Sequence, residues 1–221
     1  DEKIVSIPNP TDIDSVLELS RAPLPIEVGA PFIMSAGRLV KVKNFAMLVR
    51  GFALAGGDRK LVIAGEGEER GALERLAREL GISDRVLLPG FIQNPYPLMA
   101  AADIFVLPSD SEGYPNALIE AMALSRPVIA ANCDSGPSQI LAGLPRKAVS
   151  GVTFAESGVL VPVDDEVAMA EAIRALNDEG RRADYGAKAA ARAATFNAAA
   201  IKDRYWGVLR EAMQAAPARQ R

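Results

Sequence analysis

The sequence lacks histidine entirely and contains one cysteine, Cys133, among its 221 residues. Without an imidazole, acid–base or metal chemistry that needs histidine must draw it from another chain or domain. A single cysteine cannot form an internal disulfide, and zinc sites need clusters of ligands. These absences favour a reducing, cytoplasmic setting and argue against a zinc site or a metal site built on histidine. With no histidine to activate it, Cys133 is expected to pack rather than to react.

Long hydrophobic runs and an excess of one charge are also missing. The best apolar run, Leu98 to Leu107, is too short to span a bilayer and is broken by Asp103. No signal peptide is evident at the start. The formal net charge is only −3, and there is no basic stripe of the kind that indicates a nucleic-acid binder. Because the chain opens on Asp1 rather than Met, we expect it to be part of a longer protein.

Hydrophobic residues make up 49% of the chain, which is enough for one good core. Short apolar runs bounded by glycine or proline alternate with amphipathic stretches, and these runs are strand candidates. The predicted strands are Ile4–Ile7, Phe32–Ser35, Lys60–Ala64, Val86–Leu88, Ile104–Leu107, Pro127–Ala130 and Gly158–Val161.

Amphipathic helices are predicted between these strands. Three stripes follow helical spacing: Phe45, Leu48, Val49 and Phe52 after an Asn44 N-cap; Leu73, Leu76, Ala77 and Leu80, ended by Gly81; and Val167, Ala170, Ile173 and Leu176, opened by Asp164 or Asp165. Strands that alternate with helices predict an α/β fold: a Rossmann-like, doubly wound parallel sheet with helices on both faces. Ligands of such sheets bind at the carboxyl ends of the strands.

Two regions depart from this alternation and suggest three segments. Residues 1–30 are proline-rich and are predicted to be a hinge strand and linker. Residues 31–195 are predicted to form the ligand-binding domain. Residues 196–221 are predicted to be a terminal helix, which carries Trp206, the only tryptophan.

A first candidate site follows the strand Phe32–Ser35. Arg38 and Lys43 stand just before a helix begins, beside backbone N–H groups that have no partner within that helix. Such a terminus favours anions, and arginine and lysine bind phosphate in complementary ways. Taken alone, this segment is better explained as a solvated charged turn.

A second candidate site follows the strand Ile104–Leu107 and runs from Ser111 to Glu120. Pro115 suits the first helical position, which would leave the N–H groups of Asn116, Ala117 and Leu118 free to face a phosphate. Glu120 lies one turn into this helix on an apolar stripe. A buried carboxylate is costly unless it is hydrogen-bonded, and either a ribose diol or a neighbouring backbone group would satisfy it.

Three other patterns are weaker. Residues 132–139, which contain a Gly136-Pro137 helix start, are more typical of an ordinary turn than of an anion contact. Gly65-Glu66-Gly67 lacks the third glycine of the dinucleotide fingerprint. Asp12-Ile13-Asp14 matches the D-x-D pattern of metal-dependent sugar transferases, but it lies in the predicted linker and is interpreted as chance.

Taken together, these segments resemble the group 1 family of retaining glycosyltransferases of the two-domain GT-B type, and specifically the C-terminal domain. The resemblance runs from about Ile4 to the final helix. It rests on two glutamates separated by seven residues in SEGYPNALIEAMA, and on the order and spacing of SAGRLVKVKNF, LVIAGEGEERGALERLARELGISDRVLLPGF, MAAADIFVLPS and RPVIAANCDSGPSQIL.

The resemblance implies a role for each matching residue. Arg38 and Lys43 correspond to the cationic pair on the donor diphosphate, and Glu112 to the glutamate beside the donor sugar; these three form the implied catalytic set. Asn116 and Ala117 correspond to the loop that also meets the diphosphate. Glu120 corresponds to the carboxylate that binds the ribose. Ile92 corresponds to the position that lines the nucleobase, and Glu66 lies near the same pocket. Two departures are Tyr114-Pro115-Asn116, where Phe-Gly-Leu is common, and Gln139, where a glutamate is usual.

The family uses a nucleoside-diphosphate sugar and no metal or other cofactor, and it transfers the sugar to a glycan or lipid-linked acceptor. The resemblance implies an N-terminal domain that binds the acceptor and supplies a histidine, with the terminal helix packing on it. The isolated chain is therefore expected to be inactive in transfer. Membrane contact, if any, would be peripheral and come through that other half. One alternative is a degenerate nucleotide-binding or interaction module, although Arg38, Lys43, Glu112 and Glu120 favour the enzyme. Another is a GT-B type sugar epimerase, which the hinge and the lack of histidine disfavour.

Overall fold

The structure is a computed structural model that describes Val5 and residues 7–215. Within these residues the predicted doubly wound sheet is present, with seven strands in the order β3-β2-β1-β4-β5-β7-β6. All neighbouring strands are parallel except β6 and β7, which are antiparallel. The strands are β1 (Phe32–Ala36), β2 (Lys60–Ala64), β3 (Val86–Gly90), β4 (Ile104–Leu107), β5 (Val128–Ala131), β6 (Thr153–Ala155) and β7 (Gly158–Val161).

Helices cover both faces of the sheet, as predicted. One buried cluster joins β-strand residues to α2, α3 and α7, and a second joins them to α1, α4, α5, α6 and α8. The helices are α1 (Ile13–Leu19), α2 (Phe45–Ala55), α3 (Arg70–Glu79), α4 (Tyr96–Ala101), α5 (Asn116–Ala123), α6 (Pro137–Ala142), α7 (Glu166–Ala175), α8 (Glu179–Ala193) and α9 (Ala198–Ala215).

Most predicted elements are confirmed, with local exceptions. Asn44 caps α2, and Asp165 rather than Asp164 caps α7. Val167 was assigned to the buried stripe of α7, but it is 65% exposed, and Met169 is buried instead. The strand β6 was not predicted because it is three residues long, lies at the sheet edge and exposes Phe154. The predicted strand Ile4–Ile7 contains residues outside the described part of the chain.

The segment interpreted as a linker contains a helix that the sequence did not predict. Asp12 begins α1 by accepting a hydrogen bond from the Ser15 N–H at 3.1 Å, which gives the D-x-D match a structural explanation. Ile13 and Val16 of α1 are buried in the core. Thr11 pairs with Asn197 through a β-bridge, so the start of α1 lies beside the start of α9.

The sheet order determines where a ligand can bind. Strand order runs outward from β1 to β3 and then restarts on the other side of β1 with β4. The connections that follow β1 and β4 therefore diverge to opposite faces and leave a crevice at the carboxyl ends of these strands. This crevice lies between the two candidate segments. No helix in the described residues combines the length and apolar character needed to cross a membrane.

Candidate functional site

The loops that follow β1 and β4 are tied together at the crevice. Asn44 adopts a left-handed backbone (φ 42°), caps α2 through Met47 N–H, and donates from Nδ2 to Asp110 at 2.8 Å and to Asp164 at 3.1 Å. The Asp110 N–H donates to the Val42 carbonyl at 2.9 Å. Asparagine tolerates this backbone conformation and provides both a donor and an acceptor, so one side chain joins three connections.

Lys43 and Glu112 form an ion pair across the crevice. Lys43 Nζ lies 2.6 Å from Glu112 Oε1, and the two side chains are 22% and 8% exposed. These residues are 69 positions apart in the sequence and were predicted separately, one in each loop. The structure brings them into direct contact, which places a cation and a carboxylate at the carboxyl ends of β1 and β4.

A third loop supports this junction from the β5 side. The Ser135 hydroxyl donates a hydrogen bond to the backbone carbonyl of Glu112. Gly136 has a φ of 102°, and a Cβ there would lie 2.5 Å from Pro115 Cδ, so the loop packs closely against the start of α5. The segment 132–139 therefore has a supporting role in the described structure. Cys133 is buried, and burial raises the pKa of its thiol, which agrees with a packing residue.

Arg38 opens onto a cavity of about 490 Å³, here called the Arg38 cavity. It is mostly apolar and lies between the loops that follow β1, β2 and β3. Among the described residues, none forms an ion pair or hydrogen bond with the exposed Arg38 guanidinium. The lining residues are Ala36, Gly37, Arg38, Ala64, Gly65, Glu66, Phe91, Ile92 and Pro95.

Glycine is required where two walls of the Arg38 cavity meet. A Cβ at Gly65, where φ is 153°, would lie 1.8 Å from the Gly37 carbonyl oxygen. The motif around Gly65 thus has a packing reason even though it is not a dinucleotide fingerprint. Glu66, which was predicted to lie near the nucleobase of the donor, does line this cavity. Its carboxylate is paired with Arg70 at 2.6 Å, and this hydrogen bond lowers the pKa of Glu66.

The amide groups at the start of α5 differ from the prediction. Pro115 is the cap residue rather than the first helical residue. The Asn116 N–H donates to the Tyr114 carbonyl, and the Leu118 N–H donates to Pro115, both at 3.0 Å. The prediction that the Asn116 and Leu118 amides are unpaired was wrong, because the turn before α5 uses both of them as hydrogen-bond donors. The Ala117 N–H has no such bond in the described structure, so it is the amide at this terminus that stays available.

Glu120 lies in a second cavity of about 220 Å³, here called the Glu120 cavity. Burial raises the pKa of Glu120, and a hydrogen bond from the Tyr96 hydroxyl opposes that shift. Its walls are the segment that leads into α1, α1 itself, and the starts of α4 and α5. The lining residues are Pro10, Thr11, Asp12, Ser15, Val16, Leu19, Tyr96, Asn116 and Glu120.

The predicted site residues therefore gather at one end of the sheet in three adjoining places. Arg38, Glu66 and Ile92 line the Arg38 cavity; Lys43 and Glu112 form the ion pair; Asn116 and Glu120 line the Glu120 cavity. Pro95 lines the Arg38 cavity, and the next residue, Tyr96, lines the Glu120 cavity. Within the described residues, no group of three or more His, Cys, Asp or Glu side chains could hold a metal ion.

Two features of the site were missed by the sequence analysis. Tyr96 lines the Glu120 cavity together with Glu120, and Phe91, which is 77% exposed, lines the Arg38 cavity. Both follow β3, where the prediction considered only Ile92. Aromatic residues make up only 5% of the chain, so two of them just after a strand were a signal that could have indicated these positions. The contribution of α1 had no such signal, because it depends on how the chain folds back.

Comparison with protein families identifies the class. Residues 17–192 match the model of the family Glycosyl transferases group 1. One relative is the N-acetylgalactosamine-N,N'-diacetylbacillosaminyl-diphospho-undecaprenol 4-alpha-N-acetylgalactosaminyltransferase of Campylobacter jejuni. The two sequences are 39% identical over 167 residues, and the alignment covers 75% of this chain and 43% of that protein. The chain is 33% identical over 170 residues to the lipopolysaccharide core biosynthesis glycosyltransferase LpsE of Rhizobium meliloti, which covers 77% of this chain and 46% of that protein. The chain therefore belongs to the group 1 glycosyltransferases.

Solved structures show the same fold. HepE from Anabaena, in complex with UDP, superposes with a TM-score of 0.77 at 22% identity, covering 93% of this chain and 57% of that one. Sucrose-phosphate synthase from Thermosynechococcus elongatus gives a TM-score of 0.75 at 28% identity, covering 95% and 53%. The chain thus spans about half the length of the proteins that it matches.

Proposed function

We propose that this chain is the donor-binding half of a retaining glycosyltransferase that takes a nucleoside-diphosphate sugar. The observation that carries this proposal is the gathering of Arg38, the Lys43–Glu112 pair and Glu120 at the crevice between β1 and β4. An unpaired guanidinium, an ammonium and the Ala117 N–H there offer charge complementary to a diphosphate.

The two cavities suggest where each part of a nucleoside-diphosphate sugar would bind. The apolar Arg38 cavity suits a flat base, with Arg38 at its edge towards the diphosphate. The Glu120 cavity suits the ribose, because its carboxylate has no cation partner among the described residues and can accept two hydroxyl groups. The sugar would then lie near Glu112. Uridine diphosphate is the first candidate, since HepE was solved with UDP.

Transfer itself would require a second half of the protein. The relatives are about twice as long as the matched part of this chain. On α9, the side chains of Trp206, Leu209 and Met213 lie on one helical face and are 55%, 44% and 77% exposed. An apolar face of this kind favours a partner surface. We infer that α9 packs on an N-terminal half that binds the acceptor.

The acceptor and the stereochemistry belong to this proposal as well. The Campylobacter relative acts, by its name, on a sugar linked to diphospho-undecaprenol. A glycan or lipid-linked sugar is therefore the acceptor class that we propose, with retention of configuration. Any membrane contact would come through the acceptor-binding half. No metal or cofactor is part of the proposal.

The test combines calorimetry with a transfer assay on this chain and on the full-length protein. The chain should bind a nucleoside diphosphate but should not transfer labelled sugar, because holding two reactants in line contributes roughly 7–11 kcal/mol to lowering the barrier. Multiple turnovers by the chain alone would contradict the two-half proposal. Nucleotide binding without transfer by the full-length protein would favour the alternative, a binding or interaction module.

A further inference from the structure

The Glu120 cavity contains polar side chains that the proposed donor site does not use, and Tyr96 is one of them. Tyr96, the first residue of α4, lines this cavity beside Glu120 on α5. The site as proposed assigns ribose recognition to Glu120 alone. A partly buried carboxylate with no cation partner among the described residues needs hydrogen bonds to remain ionised. Tyr96 lines the same cavity and can donate one before any ligand arrives.

The position of Tyr96 is itself held by the helices around the cavity. Its backbone N–H donates to the Asn94 side-chain oxygen at 3.3 Å, and Asn94 Nδ2 donates to the Leu19 carbonyl at the end of α1 at 2.9 Å. Asn94 thus links α1 to the start of α4. The wall formed by α1 and the phenol of Tyr96 are positioned by the same residue.

We propose that Tyr96 is a positioning residue for the donor ribose: within a cavity walled by α1, its hydroxyl orients the Glu120 carboxylate, so that Glu120 accepts the ribose 2′- and 3′-hydroxyls. This inference rests on the proposed function, because it presumes that a nucleotide is the ligand. It adds Tyr96 and α1 to that function as determinants of ribose recognition.

The charge on Glu120 depends on few other groups. The titratable residues that line the cavity are Asp12 from α1, Tyr96 and Glu120. In the described chain, β4, β5 and α8 also pack against α5, but they contribute no residue to the lining. Hydrogen bonds from Ser15 lower the pKa of Asp12, so Asp12 stays ionised across the range in which Glu120 titrates. Burial raises the pKa of Glu120, and Tyr96 limits that rise.

The test is Tyr96→Phe, assayed by calorimetric titration between pH 5 and 8. The probes are the tightest-binding of uridine, guanosine and adenosine diphosphate and its 2′,3′-dideoxy counterpart. Losing the hydroxyl should raise the pKa of Glu120, so the loss of affinity on acidification should begin at higher pH. At the acidic end the variant should bind the ribonucleotide about tenfold more weakly, which corresponds to about 1.4 kcal/mol.

The dideoxy probe separates positioning from structure. Phosphate protonation affects both probes alike, so only their difference reports on Glu120. Affinity for the dideoxy probe should be the same for both proteins, and the matched variant Tyr185→Phe, which removes a half-buried hydroxyl on α8, should change neither probe. Equal losses for both probes, or no loss for either, would overturn the role of Tyr96. Failure of the unsubstituted chain to bind any nucleotide would instead reject the proposed function.

Discussion

Two glutamates eight positions apart, Glu112 and Glu120, occupy very different surroundings. Glu112 is 8% exposed and already has a cation, Lys43, at 2.6 Å. Glu120 is partly buried and faces a cavity, and its described neighbour is a phenol rather than a cation. The comparison indicates that one carboxylate is used to close two loops onto each other, while the other keeps its hydrogen-bonding capacity for a ligand.

The largest expected effect comes from breaking the ion pair at Lys43. Lys43→Met should lower the free energy of unfolding by about 2–3 kcal/mol, somewhat less than for a fully buried pair, because it leaves the Glu112 carboxylate buried without a cation. Urea denaturation measures this change. Lys188→Met removes an exposed ion pair with Asp184 and should leave the free energy of unfolding nearly unchanged.

The double variant Lys43→Met/Glu112→Gln sharpens this result. It should recover a substantial part of the stability lost in Lys43→Met, since a neutral amide avoids the unpaired charge. If the double variant is no more stable than Lys43→Met, the loss comes from packing and not from charge.

Arg38 offers the contrasting case of a cation with no described partner. Arg38→Ala should leave the unfolding free energy unchanged but weaken nucleoside diphosphate binding by about 1.5–3 kcal/mol, the range for a charge-assisted hydrogen bond. Calorimetric titration measures the affinity. Lys41→Ala removes the same charge from the same loop but outside the Arg38 cavity, and it should have a much smaller effect. Equal effects would mean that only the overall charge matters.

Glu120→Ala should discriminate between ligands, which Arg38→Ala should not. The variant should weaken the binding of uridine diphosphate by about 1–2 kcal/mol, because the ribose loses hydrogen bonds to a charged acceptor. Inorganic pyrophosphate, which has no ribose, should bind as before. Calorimetry with both ligands makes the test, and an equal loss for both would remove the ribose assignment.

The smallest expected effect is on the pH dependence of stability. The pKa of Glu120 is raised in the folded state, so the folded protein binds more protons there than the unfolded chain does. This group therefore makes stability fall as pH rises from the unfolded pKa through the folded one. Glu120→Gln should remove that contribution, which unfolding curves between pH 4.5 and 7 would show. An unchanged slope would mean that Glu120 is solvated like an exposed carboxylate.

Sequence pattern was sufficient for the main elements of this chain. Runs such as Lys60–Ala64 and Ile104–Leu107 are buried strands, and the stripe from Phe45 to Phe52 is a buried helical face. Such patterns are local, since they follow from side-chain periodicity and from the residues that begin and end each element. The same holds for the placement of Arg38, Glu112 and Glu120 after strands. Val167 and β6 were misjudged because burial at an edge depends on what packs there.

The tertiary structure decided how these residues act on one another. Lys43 pairs with Glu112 because the strand order places β1 beside β4, which no short sequence window encodes. The Asn116 and Leu118 amides are used by their own turn, a detail of backbone geometry. Likewise α1 folds back to wall the Glu120 cavity because Ile13 and Val16 bury their side chains in the core. Composition and spacing thus determined which groups exist and on which elements, whereas long-range packing determined which of them meet.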